Sequence, residues 1–132
     1  MTSDQERRSV VLVVENVEET RHGIERLLTA SGYQVSAARD EDEAVLRAGL
    51  GRPDLILICL GLDVVEVLPI ARRIRERTGL GEEVPVVAFC VTSLAEGAEE
   101  EAGYNVYMTR PDNFDQLRAL LSRLLRALPQ AG

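Results

Sequence analysis

Short hydrophobic runs alternate along this 132-residue chain with longer segments whose apolar residues recur at helical spacing. The runs are rich in valine, isoleucine and leucine and are almost uninterrupted, which is typical of parallel strands covered on both faces. They predict five strands, at residues 10–14, 33–38, 55–59, 84–89 and 105–109. The alternation of strands with helices predicts an α/β fold, a single doubly wound parallel sheet with right-handed crossovers.

Five helices are predicted between and after these strands. They are expected at about residues 17–30, 40–50, a third segment ending near 78, 94–102 and from 113 onward. Pro69 is expected in the first turn of the third helix, because an interior proline breaks a helix. Three pairs have the spacing of residues that cap a helix N-terminus, namely Asn16 with Glu19, Asp40 with Glu43, and Asn113 with Gln116.

Composition and charge narrow the class of protein. The formal net charge is -7 and the 15 basic residues are all arginine. An acidic chain repels the nucleic-acid backbone, so we expect no nucleic-acid partner. The chain has two cysteines, no secretory segment and no stretch that could cross a bilayer, which predicts a cytoplasmic protein without a membrane partner. Residues 9–128 are expected to form one domain between polar tails at 1–8 and 129–132.

Candidate functional residues follow from the predicted topology. In a doubly wound sheet the working site lies beyond the carboxyl ends of the strands. That rule selects residues that follow the first, third, fourth and fifth predicted strands. They are Glu15, Asn16, Cys59, Gly61, Cys90, Arg110 and Pro111.

The segments that carry these residues resemble those of bacterial response-regulator receiver domains of the chemotaxis type. Residues 11–16 resemble the opening strand and its metal-binding acids, and 53–59 resemble the segment that ends in the phosphorylated aspartate. Residues 84–90 resemble the strand that ends in threonine or serine, and 107–111 resemble the segment with a switch aromatic, lysine and proline. The resemblance covers about residues 9–127. It implies a flavodoxin-like sheet, order 2-1-3-4-5, with five helices.

The chain departs from this family where the family's chemistry takes place. Cys59 stands where the phosphoacceptor aspartate is expected, and Asn16 replaces one acid. Cys90 replaces the hydroxyl residue, and Arg110 replaces the lysine. Phosphoryl transfer needs a carboxylate nucleophile and Mg²⁺ held by hard oxygens. We therefore expect a pseudo-receiver with a degenerate phosphorylation pocket, no metal, no cofactor and no enzymatic activity.

Two function classes remain for such a domain. One is a signalling adaptor that binds proteins, such as a histidine kinase or an output protein, without phosphorylation. The resemblance implies a switch or interface role for Tyr107, for which covering the sheet edge is the simpler alternative. It also implies a homodimer through the fourth helix, fifth strand and fifth helix. The other class is a thiol-based redox sensor that uses Cys59 and Cys90. A nucleotide-binding enzyme is excluded, because the acids after the first strand repel phosphate.

Simpler structural roles are available for several of the same residues. Cys59 and Cys90 also fit as small buried apolar residues. Two such strand-end thiols are expected about 6–8 Å apart, near the upper limit for a disulfide. Glu15 is expected to pair with Arg110. The resemblance further implies a cis peptide bond between Arg110 and Pro111.

Overall fold

The computed structural model describes residues 8–126. The predicted tails, apart from Arg8, and residues 127–128 of the predicted domain lie outside this range. Within it, the chain forms six strands and four helices. In chain order these are β1 (Val10–Glu15), α1 (Glu18–Ala30), β2 (Gln34–Ala38), α2 (Glu41–Leu50), β3 (Leu55–Cys59), α3 (Val64–Thr78), β4 (Val86–Phe89), β5 (Glu99–Gly103), β6 (Val106–Thr109) and α4 (Phe114–Arg126).

One sheet runs through the centre of the molecule, with strand order β2-β1-β3-β4-β6-β5. Five strands are parallel, and only β5 is antiparallel to its neighbour β6. Helices α2 and α3 pack on one face and helices α1 and α4 on the other. The central strands β3 and β4 are buried along their whole length, because both faces are covered. None of the helices in residues 8–126 has the length and apolar character needed to cross a bilayer.

The prediction of five strands and five helices is wrong in one segment. Residues 94–102, expected to be an acidic helix, instead contain most of β5, which pairs with β6 as a hairpin. The hairpin turn consists of Tyr104 and Asn105, whose φ angles are 58° and 61°. Two consecutive residues with positive φ match the tight turn that joins twisted antiparallel strands. The connection after β4 is therefore a strand that extends the sheet rather than a helix that covers it.

A buried arginine on α3 fixes this hairpin. Arg75 is 8% exposed, and its Nη1 donates a 2.6 Å hydrogen bond to the carbonyl of Tyr104. Its Nη2 donates to the carbonyls of Val84, at 2.7 Å, and Asn105, at 3.2 Å. These bonds tie the turn to the buried carbonyl of Val84 just before β4, which would carry a desolvation cost if it were left unpaired. The sequence analysis assigned no role to Arg75.

The residues at the helix N-termini can be compared with the predicted capping residues. Asp40 accepts from the Glu43 amide at 2.8 Å, and Asn113 accepts from the Gln116 amide at 3.0 Å, so both caps are confirmed. The cap predicted at Asn16 is wrong, because α1 begins after Val17 without a side-chain cap.

The position predicted for Pro69 is also wrong. A capping box of Asp63 and Glu66 starts α3 early, which puts Pro69 at the sixth residue of the helix. A proline there has no amide hydrogen to donate to the carbonyl four residues before it, so one bond of the helix is lost.

Candidate functional site

The carboxyl ends of β1 and β3 bring a carboxylate and a thiol together. Glu15 and Cys59 are register partners in neighbouring strands, and they are 3% and 8% exposed. The Glu15 carboxylate lies close enough to the Cys59 thiol to contribute to raising its pKa. The same carboxylate accepts a 3.0 Å bond from the Val17 amide. Glu15 is thus held by a protein donor, while the next residue, Asn16, is exposed to solvent.

Cys90 meets this pair from the end of β4. Phe89 lies in the same apolar cluster as Cys59, on one face of the sheet. Because side chains alternate along a strand, a regular strand would place Cys90 on the opposite face, away from Cys59. Cys90 instead has a φ of 63°, in the left-handed region that side chains other than glycine rarely adopt. Its thiol interacts with that of Cys59, as the opposite pKa shifts of the two groups indicate, although Cys90 is exposed and Cys59 is buried. Both cysteines are free thiols.

The two thiols differ in acidity. The pKa of Cys90 is lowered to about 7 by a hydrogen-bonding interaction with Cys59 and by the Arg110 guanidinium, against the opposing effects of burial and Glu15. For Cys59 the pKa is raised, first by the hydrogen bond with Cys90 and then by burial and by Glu15. Cys90 is therefore the sulfur that carries negative charge near neutral pH, and Cys59 is the donor that stabilises it.

Arg110 does not pair with Glu15, so that predicted ion pair is wrong. Its Nη1 donates to the carbonyl of Leu94 at 3.0 Å, and its backbone amide donates to the carbonyl of Ala98 at 3.0 Å. The peptide bond between Arg110 and Pro111 is trans, so the predicted cis bond is also wrong. The backbone of Arg110 continues the pairing of β6 with the segment that precedes β5. The chain therefore needs no sharp turn at Pro111.

Two loops beside the thiols are joined by hydrogen bonds that the sequence analysis missed. The Thr92 amide donates to the carbonyl of Leu62 at 2.9 Å, and the Ser93 hydroxyl hydrogen bonds to Asp63. Ser93 also accepts from the Val64 amide at 3.2 Å. The available signal was the capping spacing of Asp63 with Glu66, which marks a helix start next to these loops.

Gly61 lies in the first of these loops, two residues after Cys59. Its φ of 66° explains the glycine, because other residues rarely adopt that conformation.

Tyr107 does not lie at the sheet edge, because β5 covers the strand that contains it. Its side chain is half-buried against the apolar cluster on the α4 face, and its hydroxyl donates to the Asn105 side chain at 2.9 Å. Burial raises the pKa of Tyr107 above its usual value. Tyr107 lies opposite Glu101 of β5 and remains partly open to solvent.

An open cavity of about 500 Å³ adjoins Cys90. Its wall is mainly apolar, and Arg110 lies at its edge. The apolar lining comes from Ile24, Phe89, Phe114 and Leu117. Across residues 8–126, no three or more histidine, cysteine, aspartate or glutamate side chains are grouped so that they could hold a metal ion.

Comparison with known proteins places this site in a family. Residues 11–122 match the family described as the response regulator receiver domain. The chain is 32% identical over 124 residues to the two-component response regulator PhoP of Pseudomonas aeruginosa, covering 88% of this chain and 51% of PhoP. It is 31% identical over 121 residues to the transcriptional regulatory protein PrrA of Mycobacterium leprae, covering 88% of this chain and 49% of PrrA.

A solved structure extends the likeness to the fold. The receiver domain of the sensor histidine kinase PA1611 from Pseudomonas aeruginosa superimposes with a TM-score of 0.67 at 28% identity, over 92% of this chain and 100% of that one. The chain spans about half the length of the curated relatives it matches. With the family match over most of its length, this chain belongs to the response-regulator receiver domains of two-component signalling.

Proposed function

We propose that this receiver domain signals by binding proteins and is not switched by phosphorylation. The observation that carries the proposal is the environment of Cys59, which stands where the family has its acceptor aspartate. Its thiol is buried beside Glu15, and interaction with Cys90, burial and Glu15 together raise its pKa. A thiol in that position offers no carboxylate for an acyl phosphate.

The donors at the strand ends also do not fit Mg²⁺, which receiver domains use for phosphorylation. Glu15 is the one carboxylate at these strand ends, and it already accepts a hydrogen bond from the Val17 amide. Its neighbours offer the neutral amide of Asn16 and the soft sulfur of Cys59, whereas Mg²⁺ requires several hard oxygen ligands in a near-octahedral arrangement. The proposal therefore includes no metal, and it keeps the cytoplasmic location and non-enzymatic role that the sequence predicts.

Incubation with acetyl phosphate and Mg²⁺ is expected to leave the mass of the protein unchanged. The reason is the absence of an acceptor carboxylate and of a magnesium site at the strand ends. Intact mass spectrometry checks this, with a receiver domain of known phosphorylation treated in parallel as the positive control. A stoichiometric phosphoryl adduct that maps to residues 15–16, 59–61 or 90 would contradict the proposal.

The output surface we propose consists of β5, β6 and α4. It replaces the surface of fourth helix, fifth strand and fifth helix expected from the sequence, because no helix lies between β4 and β6. Tyr107 lies on this surface, half-buried, where an aromatic ring can anchor a partner with little loss of entropy. The partners we propose are a histidine kinase, an output protein or a second copy of the chain.

Replacing Tyr107 with alanine is expected to weaken partner binding about tenfold or more, since truncating an aromatic anchor commonly costs over 1 kcal/mol. The half-buried ring also contributes about 2 kcal/mol to stability, so binding is measured well below the melting temperature. Immobilised wild-type and variant proteins are compared by the amount of each retained partner.

Tyr104→Ala is the matched control for Tyr107→Ala. Tyr104 is 62% exposed at the hairpin turn, so its loss should change stability little. If Tyr107→Ala retains every partner at wild-type levels while only its melting temperature falls, Tyr107 is a core residue and the surface lies elsewhere.

A thiol-based redox sensor is the second candidate function. The observation that favours it is that Cys59 and Cys90 lie at adjacent strand ends and interact closely enough to shift each other's pKa in opposite directions. Because Cys90 is exposed, an oxidant in solution can reach this pair. Under this proposal, oxidation takes the place of phosphorylation as the covalent change that alters the surrounding loops.

A further inference from the structure

We propose that Cys90 and Cys59 form a peroxide-oxidised pair with separate roles, in which the Cys90 sulfur attacks a hydroperoxide and the Cys59 sulfur then closes a disulfide. This inference rests on the second candidate function and adds the class of oxidant and the order of the two steps. It is carried by the placement of the two sulfurs and by the difference in their exposure.

The backbone geometry allows a disulfide between the two residues. In the pairing of β3 with β4, Ile58 lies opposite Ala88. If this pairing is continued by one residue, Cys59 lies opposite Phe89, and Cys90 is the next residue after Phe89. Neighbouring strands are about 4.8 Å apart and rise about 3.3 Å per residue, which gives a Cα separation of about 6 Å. Disulfides usually join residues whose Cα atoms are about 4.4–6.8 Å apart. A disulfide also requires the two side chains to point towards each other. The left-handed backbone of Cys90 turns its side chain towards Cys59, so this condition is met too.

Exposure and charge separate the roles of the two thiols. Cys90 is open to solvent beside a cavity, so a hydroperoxide can approach its sulfur, whereas Cys59 is 8% exposed. The charged and titratable groups that act on Cys90 are Cys59, Glu15 and Arg110. Cys59 and Arg110 favour the Cys90 thiolate and Glu15 opposes it, with a net lowering of its pKa to about 7. The thiolate is the nucleophilic form.

The chemical steps balance. The Cys90 thiolate attacks one peroxide oxygen, so an S–O bond forms and the O–O bond breaks, and the leaving oxygen takes up a proton as water or an alcohol. The Cys59 sulfur then attacks the Cys90 sulfur, so an S–S bond forms, the S–O bond breaks, and the hydroxide leaves as water with the Cys59 proton. The two thiols together lose two electrons, which reduce the hydroperoxide.

The first step also activates the second. The largest cause that raises the pKa of Cys59 is its hydrogen bond to Cys90. Once Cys90 carries an oxygen, its negative charge is gone and this cause is removed. Cys59 can then release its proton more readily, so the pair resolves only after Cys90 has reacted.

The closing disulfide would act on the joined loops. Cys90 precedes Thr92 and Ser93, which hydrogen bond to Leu62 and Asp63 after β3. Asp63 is the N-terminal cap of α3. A covalent link between Cys59 and Cys90 therefore alters the two loops and the start of one helix together.

The test treats the whole chain with hydrogen peroxide and maps the thiols by mass spectrometry. We expect a cross-linked peptide that joins Cys59 to Cys90, and in Cys59→Ser a sulfenic acid at Cys90 that dimedone traps. Cys90→Ser is expected to react at least about tenfold more slowly, because Cys59 is buried. Without peroxide, alkylation of Cys90 should accelerate as pH rises through about 7, and Arg110→Gln should move this midpoint upward.

Each other outcome has a distinct meaning. One contrary result is that Cys59 reacts before Cys90, or that Cys90→Ser reacts with peroxide as fast as the wild type. Either would contradict the separate roles of the two thiols but would remain consistent with a redox sensor. If peroxide yields only disulfides between chains, or if neither thiol reacts before denaturation, the pair and the second candidate function are both overturned. Circular dichroism of each variant, together with Cys59→Ala as a second truncation, excludes loss of the fold as the cause.

Discussion

Replacing Arg75 with methionine is expected to lower the free energy of unfolding by about 3 kcal/mol. Arg75 is buried, and its guanidinium donates to the carbonyls of Tyr104, Val84 and Asn105. Methionine fills similar volume but leaves the carbonyls of Tyr104 and Val84 without this donor, at about 1–2 kcal/mol for each. The Asn105 carbonyl still accepts from the Val86 amide. One effect acts the other way. The Arg75 Nε is buried without a partner, and the substitution removes it.

Urea denaturation measures this loss, and Arg72→Met is the matched control. Arg72 is three residues earlier on α3 and exposed, so its replacement should change stability by no more than about 0.5 kcal/mol. Hydrogen exchange adds a local measurement, since β5 amides should exchange faster in Arg75→Met than in the control. Equal losses in the two variants would show that Arg75 contributes only to helix formation and does not hold the hairpin.

The parts of this fold that the sequence predicts are those with strong local signals. The runs at β1 and β3 are apolar without interruption, and buried parallel strands are almost the only soluble structures with that pattern at that length. Asp40 and Asn113 are followed at the third helical position by Glu43 and Gln116, and both caps form. In each case the cause lies within a few residues of the element it determines.

The hairpin was not predicted because its causes lie far apart in the chain. The glutamates of β5 favour a helix locally and are poor strand residues. They become a strand because β6 offers a free edge and Arg75, 29 residues before Tyr104, satisfies the turn. One local signal is the connection between the predicted fourth and fifth strands, which is slightly short for the family that the chain resembles.

In the candidate site, too, some features were predictable from the sequence and others were not. Topology brings Glu15, Cys59 and Cys90 together as predicted, because parallel strands end at one edge of the sheet. The partners of the individual side chains were not predictable. Arg110 hydrogen bonds to Leu94, since the unforeseen β5 region provides that carbonyl. The contact between the thiols depends on the left-handed backbone of Cys90, which no residue type at that position signals.

Restoring the family's acceptor with Cys59→Asp is expected to destabilise the protein by about 3 kcal/mol at pH 7. Cys59 and its register partner Glu15 are both buried, so the substitution creates two adjacent carboxylates. The two nearby guanidiniums are already engaged with backbone carbonyls, that of Arg110 with Leu94 and that of Arg21 with Glu15 itself. Burial and like charge both raise the folded-state pKa of the introduced carboxyl above its unfolded value of about 3.9.

The sign of the pH dependence follows from that raised pKa. Between the unfolded and folded values the native state binds more protons, so stability falls as pH rises. The loss in Cys59→Asp should therefore be largest at pH 7 and should shrink as pH falls towards 4. Cys59→Ser is the control, since a neutral side chain of similar size should show no such difference from wild type over that range. Thermal melts at pH 4 to 7 measure both. A Cys59→Asp variant as stable as Cys59→Ser at pH 7 would mean that the pocket still supplies a cation. In that case the proposed loss of phosphorylation would rest on one residue rather than on the whole site.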